Sequence, residues 1–341
     1  LSDSREQADS SRPVTISSIA ASAGVSAPTV SKVLNGRSGV SAGTRARVEA
    51  LIDEHGYRKS SATGRGAVVD LVFDEPADMW GVEIIRGVQR VARRHGVGLV
   101  LSEFGPRGSS VRCWVDDALD RRPACVVTVA QLSAEERDRL RARGIPFVVF
   151  DPTGELPDDV PFVGATNWSG GRAATRHLTG LGHRRIGVLT GQDDLLFCRA
   201  RLDGHRSALE DAGIAADPAL VARAPLTRDG GFAATRALLA LPEPPTALFA
   251  CNDLQALGAY RAAREAGLRV PEDLSVVGFD DLPVGDLVDP PLTTVRQPLA
   301  EMAAAAAELA LALGRGERPP QLGVELATTL TVRRSTAPPR A

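Results

Sequence analysis

Two helices and a tight turn are written into residues 14–36 at fixed spacing, and this segment constrains the fold more than any other. Thr15 is placed to cap a first helix whose apolar side, Ile16, Ile19, Ala20 and Ala23, recurs at helical intervals. Gly24 then allows a sharp turn, Val25 tucks inward, and Ser26 caps a second helix. Pro28 falls in that helix's first turn, where a missing N–H costs nothing. Val30, Val33 and Leu34 form its inner side, leaving Thr29, Ser31 and Lys32 outside. A short, hydroxyl-rich, cationic surface of this kind suits DNA phosphates and groove edges. An ordinary helical hairpin shares the spacing. Residues 40–44 lead into a third helix with Val48, Leu51 and Ile52 inward, closed by His55, Gly56 and Tyr57.

Charge is distributed to match. The 341-residue chain carries a net charge of −2. Between Arg12 and Arg65, however, eight Lys and Arg face three acids, Glu49, Asp53 and Glu54. A basic module on an acidic body fits a protein that meets a polyphosphate at one end. The same surplus also occurs on merely solvated helix faces. The four cysteines, Cys113, Cys125, Cys198 and Cys251, are far apart in sequence, with no Cys-x-x-Cys and no His cluster. That spacing argues against a zinc site and a disulfide framework, and implies no metal or cofactor and a reducing cytoplasm. No apolar run approaches a membrane span. Residues 1–12 are polar and read as a disordered leader rather than a secretory signal.

After a polar, Gly- and Ser-rich linker, the pattern changes to short apolar strands alternating with helices. Strands are expected at 68–73, 97–101, 124–129 and 147–150, with a helix at 83–96. A second series follows: helix 170–181, strand 186–189, helix 201–212, strand 247–250, helix 254–266 and strand 274–278. This alternation predicts an α/β body of two Rossmann-like lobes, each a parallel sheet covered on both faces. Ligands in such sheets bind beyond the carboxyl ends of the strands.

Polar residues stand at those ends. Asp151 follows one expected strand, Asn252 and Asp253 another, Asp280 and Asp281 a third, and Arg201 is expected to open a helix. Carboxylates and an Arg fork can satisfy adjacent sugar hydroxyls in pairs. A sugar's C–H faces ask for an aromatic plate, which Trp80, Trp168 or Phe197 could supply. Of Asn252 and Asp253, one is expected to face ligand while its neighbour caps the next helix. Asp281 reads as hinge or cap, Trp168 as plate or packing, and Glu83 as a ligand group or a helix-start acid. His177, His183 and His205 read as structural.

The N-terminal residues Val14, Thr15, Ile19, Ala20, Ala23 to Ser26, Thr29 to Ser31, Val33 to Asn35, Val40, Ser41, Thr44, Arg45, Val48, Gly56 and Tyr57 resemble the headpiece of the lac/galactose repressor family of transcription regulators. The resemblance continues through 180–186, 201–204, 251–253, 256–258, 276–281, 291–295 and Gln297, so it covers nearly the whole chain. It implies a three-helix headpiece at 13–58, a short linker at 59–67, and a body at 68–336 like a periplasmic sugar-binding protein, followed by a tail at 337–341. Lobe 1 would hold about 68–164 plus 297–325, and lobe 2 about 165–296 plus 326–336. The implied function is a repressor that binds a near-palindromic operator as a homodimer and releases it when a small effector, a sugar, fills the cleft. The implied DNA-contacting residues are Thr15, Ser26, Ala27, Pro28, Thr29, Ser31, Lys32, Asn35, Ser41 and Thr44. The implied effector contacts are Asp151, Arg201, Asn252 and Asp280, with Trp80 and Phe197 as walls.

Rival readings carry different signatures. A purine-responsive regulator of this fold would rely on stacking by Trp80 and Phe197 more than on hydroxyl pairing. A sugar-binding transport protein would have no use for residues 14–57. An enzyme would need a nucleophile–base pair or a metal site, and the sequence offers neither. One departure from the family pattern stands out: the linker lacks the short hinge helix and the Leu that wedges into the minor groove. The C-terminus also lacks leucine heptads for a coiled coil.

Overall fold

The computed structural model describes residues 16–34, 39–54, 66–74, 79–104 and 114–340. Thr15, Asn35, Cys113 and residues 55–65, which hold most of the linker expected at 59–67, lie outside those residues. The chain divides into two units, residues 1–64 and 65–341.

In the first unit, α1 (Ile16–Ala23), α2 (Ala27–Leu34) and α3 (Ala42–Glu54) close around Ile19, Ala20, Ala23, Val30, Val33 and Val48. Leu51 and Ile52 are only half-buried against this core. α1 ends in a Schellman turn: Gly24 N–H donates to Ala21 O at 3.3 Å and Val25 N–H to Ala20 O at 3.0 Å. The turn holds Gly24 at a φ of +65°, which glycine adopts without strain. Ser41 caps α3, accepting from Thr44 N–H at 3.2 Å and donating to Thr44 Oγ1 at 2.8 Å.

The second unit holds two lobes. Lobe 1 begins with β1 (Gly66–Phe73), α4 (Met79–Arg94), β2 (Gly98–Glu103), α5 (Trp114–Arg121), β3 (Pro123–Thr128), α6 (Ala134–Ala142), β4 (Phe147–Phe150) and β5 (Phe162–Ala165). Lobe 2 follows with α7 (Asn167–Gly180), β6 (Ile186–Thr190), α8 (Leu196–Asp211), β7 (Val221–Arg223), α9 (Arg228–Leu239), β8 (Ala247–Ala250), α10 (Asp253–Glu265), β9 (Ser275–Asp280), α11 (Val284–Leu287) and β10 (Thr293–Arg296). The chain then returns to lobe 1 for α12 (Leu299–Gly314) and β11 (Gly323–Leu326), and ends in lobe 2 with β12 (Thr329–Thr331). The chain thus crosses between lobes three times.

Among the described residues each lobe carries one six-stranded sheet, ordered β11-β5-β4-β3-β1-β2 and β12-β10-β9-β8-β6-β7. All pairings are parallel except β10 with β12. β4, β6, β8 and β9 are buried along their whole length, as a sheet covered on both faces requires. In lobe 1 alternate residues Val69, Leu71 and Phe73 meet α4 and the alanine-rich α12, while Val72 meets Trp114 and Val115 of α5. In lobe 2 Ile186 and Val188 face α7 and α8, and Leu189 faces α9 and α10. The α/β architecture is therefore a helix-turn-helix unit followed by two parallel-sheet lobes.

Several boundaries differ from the sequence expectations. α4 starts at Met79, so Met79 and Trp80 open a helix instead of forming a loop. α8 starts at Leu196, which moves Arg201 from the helix start into its second turn. β1 begins at Gly66, inside the expected linker. Trp80 packs on the lobe 1 core and Phe197 and Cys198 on that of lobe 2, which extends α4 and α8 beyond their periodic cores.

Candidate functional site

The strand ends of the two lobes enclose a cavity of about 400 Å³. Lobe 1 lines it with Phe73, Asp74, Trp80, Val129, Asp151 and Thr153. Lobe 2 supplies Phe197, Arg201, Leu226, Asn252, Leu254, Asp280 and Leu282. All six effector candidates, Trp80, Asp151, Phe197, Arg201, Asn252 and Asp280, meet in this one cavity. Its size and mixed lining suit a small molecule.

Arg201 organises the floor. Its side chain is almost wholly buried, with the guanidinium 3.6 Å from the Phe279 ring centroid and 5.0 Å from that of Phe197. Nε donates to Asn167 Oδ1 at 2.8 Å, NH1 to Cys251 O at 2.5 Å, and NH2 to Gln297 Oε1 at 3.2 Å. NH1 also stands 3.8 Å from Asp280 Oδ1. Gln297 completes a bracket by donating from Nε2 to Asp151 Oδ2 at 3.0 Å. Gln297 sits on the crossing between β10 and α12, so one amide joins the acid of lobe 1 to the guanidinium of lobe 2. Burial raises the Asp151 carboxyl above its ordinary range, against the pull of Arg201 and of hydrogen bonds from Gln297 and Asn167.

Close backbone approach places this arginine. A side chain at Gly171 on α7 would collide with the Arg201 carbonyl, and one at Gly204 on α8 with the Trp168 carbonyl. Glycine at both positions lets the two helices touch. Three acids at strand ends hold left-handed backbone: Asp151 at φ +45°, Asp280 at +113° and Asp281 at +60°. Such conformations cost energy in non-glycine residues and concentrate at binding sites.

The neighbouring polar residues divide their roles differently from one another. Asn252 both lines the cavity and caps α10, its Oδ1 accepting from Gln255 N–H at 2.9 Å while its Nδ2 donates to Leu226 O at 2.9 Å. Asp253 does neither. It is fully buried, accepting from Thr294 Oγ1 at 2.6 Å and from Leu282 N–H at 2.7 Å. Asp281 pairs with Arg333 at 2.7 Å and accepts from Thr331 Oγ1 at 3.2 Å. Trp80 packs edge-on to Phe150 with ring centroids 5.8 Å apart. Trp168 lies outside this cavity and is 45% exposed. Glu83 pairs with Arg86 at 2.5 Å on the surface of α4.

The histidines are tied into the fold of lobe 2. His205 bonds Thr175 Oγ1 at 2.9 Å and stacks on Phe249, and burial lowers its pKa to about 4. His183 contacts Thr246, Ser275 and Ala337 O, and His177 contacts Thr336. Cys198 and Cys251, distant in sequence, are both buried in the same core cluster of lobe 2. Among the described residues, no group of three or more His, Cys, Asp or Glu could hold a metal ion. No described helix is long and apolar enough to cross a membrane.

Sequence reasoning missed Asp74, Thr153 and the bracketing role of Gln297. Asp74 had a signal, since it follows an expected strand as Asp151 does. Gln297 was a landmark of the family resemblance, but nothing local signalled its bracketing role, because its partners come from two different lobes.

In the first unit, Pro28 and Lys32 are exposed on α2, whereas Thr29 and Ser31, expected outside, are half-buried. Ser26 and Thr29 hydroxyls are 2.9 Å apart at the start of α2, and Ala27 packs against the core.

Comparison with known proteins places this geometry. Residues 15–60 match the model for bacterial regulatory proteins of the lacI family, and residues 175–336 match a periplasmic binding protein-like domain. The HTH-type transcriptional regulator MalR of Streptomyces coelicolor is 36% identical over 334 residues, covering 94% of this chain and 96% of that protein. A solved complex of the transcriptional regulator CelR with cellobiose has a TM-score of 0.73 at 36% identity, covering 95% of this chain and all of that one. The lac repressor dimer bound to operator and the anti-inducer ONPF also has a TM-score of 0.73, at 29% identity, covering 96% of this chain and all of that one. The chain belongs to the lacI family of bacterial regulatory proteins.

Proposed function

We propose that this protein is a repressor that binds a near-palindromic operator as a homodimer and is released by a sugar bound between its lobes. The observation that carries the effector half is the convergence of Asp151, Arg201, Asn252 and Asp280, beside Trp80 and Phe197, on one cavity. Paired carboxylates, an amide and a guanidinium match adjacent hydroxyls, and the rings cover C–H faces. The CelR–cellobiose and lac repressor–operator structures support the same reading. The carboxylates of Asp151 and Asp280 and the amide of Asn252, set beside the rings, favour hydroxyl pairing over stacking alone, and so a sugar over a purine.

On the DNA side, Lys32 and the capped helix starts at Ser26 and Ser41 would hold phosphates, with Thr15, Ser31, Asn35 and Thr44 beside them. Ala27, Pro28 and Thr29 would lie nearest the bases, so discrimination there would rest on methyl contacts and shape. The cavity binds without catalysis in this account, since Arg201 is already held by four partners. A cytoplasmic site of action follows from the same reading.

A thermal-shift panel of sugars and purines tests the effector class. Ligand at 100 times its Kd adds about 2.7 kcal/mol, and the account expects that gain from a sugar. A gain from purines alone would reject it. In parallel, Lys32→Ala is expected to weaken operator binding and reduce its salt slope by about 1. An unchanged slope would remove Lys32 from the interface.

A further inference from the structure

A pocket of about 190 Å³ opens on lobe 2 between α8, the start of β6 and the edge strand β7. It shares no lining residue with the cavity between the lobes. Ile186 and Val221, the first residues of β6 and β7, line it at the strand ends opposite that cavity. With Leu209, Ile214 and Leu220 they form an aliphatic interior. An apolar cavity of about 150 Å³ takes benzene, so this pocket has room for a single ring or a short chain. Its charged lining is cationic: Arg184, Arg206 and Arg223 stand around it with one acid, Asp217. Asp217 is already engaged, accepting from Ala219 N–H at 2.9 Å and lying 3.6 Å from Arg185. Arg184 has no ion pair among the described residues, and its guanidinium reaches Gly213 O at 3.5 Å. Arg206 and Arg223 meet Asp203 and Asp193 at 3.0 and 2.8 Å on the open surface, where such pairs add little stability.

One atom of the lining calls for a donor. His205, buried on α8 one turn beyond Arg201, also lines the pocket. Thr175 Oγ1 donates its single proton to Gly171 O at 3.0 Å, so toward His205 Nδ1, 2.9 Å away, it accepts. The imidazole proton therefore sits on Nδ1. Burial keeps the ring neutral at pH 7. Nε2 is then a lone-pair acceptor without a hydrogen-bond partner among the described residues. We propose that this pocket is a second small-molecule site, for an organic acid that carries a hydroxyl on an apolar ring or chain. The carboxylate meets the guanidinium groups of Arg184, Arg206 and Arg223, the apolar body lies on Ile186 and Leu209, and the hydroxyl donates to His205 Nε2. A neutral apolar molecule would leave the three cations unmatched, and an inorganic anion would leave the aliphatic interior empty.

The test is calorimetric titration of the full-length protein with the isomeric hydroxybenzoates and with short hydroxyalkanoates. Each acid has two controls, the same molecule without its hydroxyl and the same molecule with an alcohol in place of the carboxylate. Wild type is expected to bind at least one hydroxy acid about tenfold more tightly than either control. Arg184→Ala and Arg206→Ala, at exposed positions, should each weaken that acid about three- to tenfold. His205→Phe, with its fold checked by circular dichroism, should erase the preference for the hydroxyl. Trp80→Leu, in the cavity between the lobes, should leave binding of the acid unchanged. Binding of none of these acids overturns the site. So does binding that both arginine variants leave intact or that Trp80→Leu abolishes, since either result puts the acid elsewhere. An acid bound no more tightly than its hydroxyl-free control, or a hydroxyl preference that survives His205→Phe, overturns the ligand class.

Discussion

Both lobes lay six strands in the same order, each with an edge strand drawn from the C-terminal part of the chain, yet they present different surfaces to the cavity between them. Lobe 2 presents a floor set in advance. Arg201 is fixed by Asn167, Cys251 and Asp280, and Asn252 is fixed by the cap it makes. Glycine contacts between α7 and α8 hold the backbone beneath. Lobe 1 presents a wall of Phe73, Trp80 and Val129, and its buried acid, Asp151, takes its amide partners from the crossings, at Asn167 and Gln297. Lobe 2 thus presents a preorganised polar floor edged by Phe197, Leu226 and Leu254, and lobe 1 a wall whose buried acid meets that floor through Asn167 and Gln297. Groups of the first kind should cost stability and affinity together when removed. Groups of the second kind should cost affinity, with any loss of stability confined to lobe 1.

The largest effect is expected at Arg201. Arg201→Ala leaves Asp151, Asp280 and the Cys251 carbonyl buried without their cation, and breaking a buried pair in this way costs about 3–5 kcal/mol. Urea unfolding should register that loss, together with the loss of effector binding. A cost under about 1 kcal/mol would mean that the floor is not held as described.

Trp80→Leu tests the wall. It keeps apolar bulk but removes the ring, an interaction worth about 0.5–1.5 kcal/mol, so effector affinity should fall about two- to tenfold. Unfolding of lobe 2 should be unaffected. A variant that unfolds like Arg201→Ala would erase the distinction between the lobes.

A separate effect, read in stability alone, concerns pH. The His205 imidazole, buried between α7 and the sheet of lobe 2, has its pKa lowered by desolvation to about 4, against roughly 6.5 in an unfolded chain. Between those values unfolding takes up a proton, so stability rises with pH across the window and is lost as pH falls from 6.5 towards 4. His205→Gln should flatten that part of the stability profile and leave the slope above pH 7 alone. An identical acid slope in the variant would show that His205 does not carry it.

Much of this organisation was legible in the sequence, and the gaps have physical reasons. β4 and β8 stood out because buried parallel strands read as continuous apolar runs bounded by polar residues. The strand-end acids were visible for the same reason. α12 was not, since alanines at 303, 306, 307 and 310 sit among further alanines and leucines, and no polar face marks the period. α6 buries only Leu140, so it lacks periodicity, and the capping box of Ser133 and Glu136 that starts it was not read. The half-burial of Thr29 and Ser31 was not legible, because helix position alone does not show how far a side chain is covered. The bracket through Gln297 and the shared core of Cys198 and Cys251 join residues 53 to 146 positions apart. No local pattern encodes such pairs.

The most direct test of the account is a selection of duplexes from a random DNA pool by the full-length protein, followed by titration of the winning duplex with the sugar panel. The account predicts a near-palindromic site bound at least about 10³-fold more tightly than random duplex. It also predicts a sugar that weakens that binding at least about fivefold. Equal, weak binding to every duplex, or a selected site whose affinity no sugar alters, would contradict it.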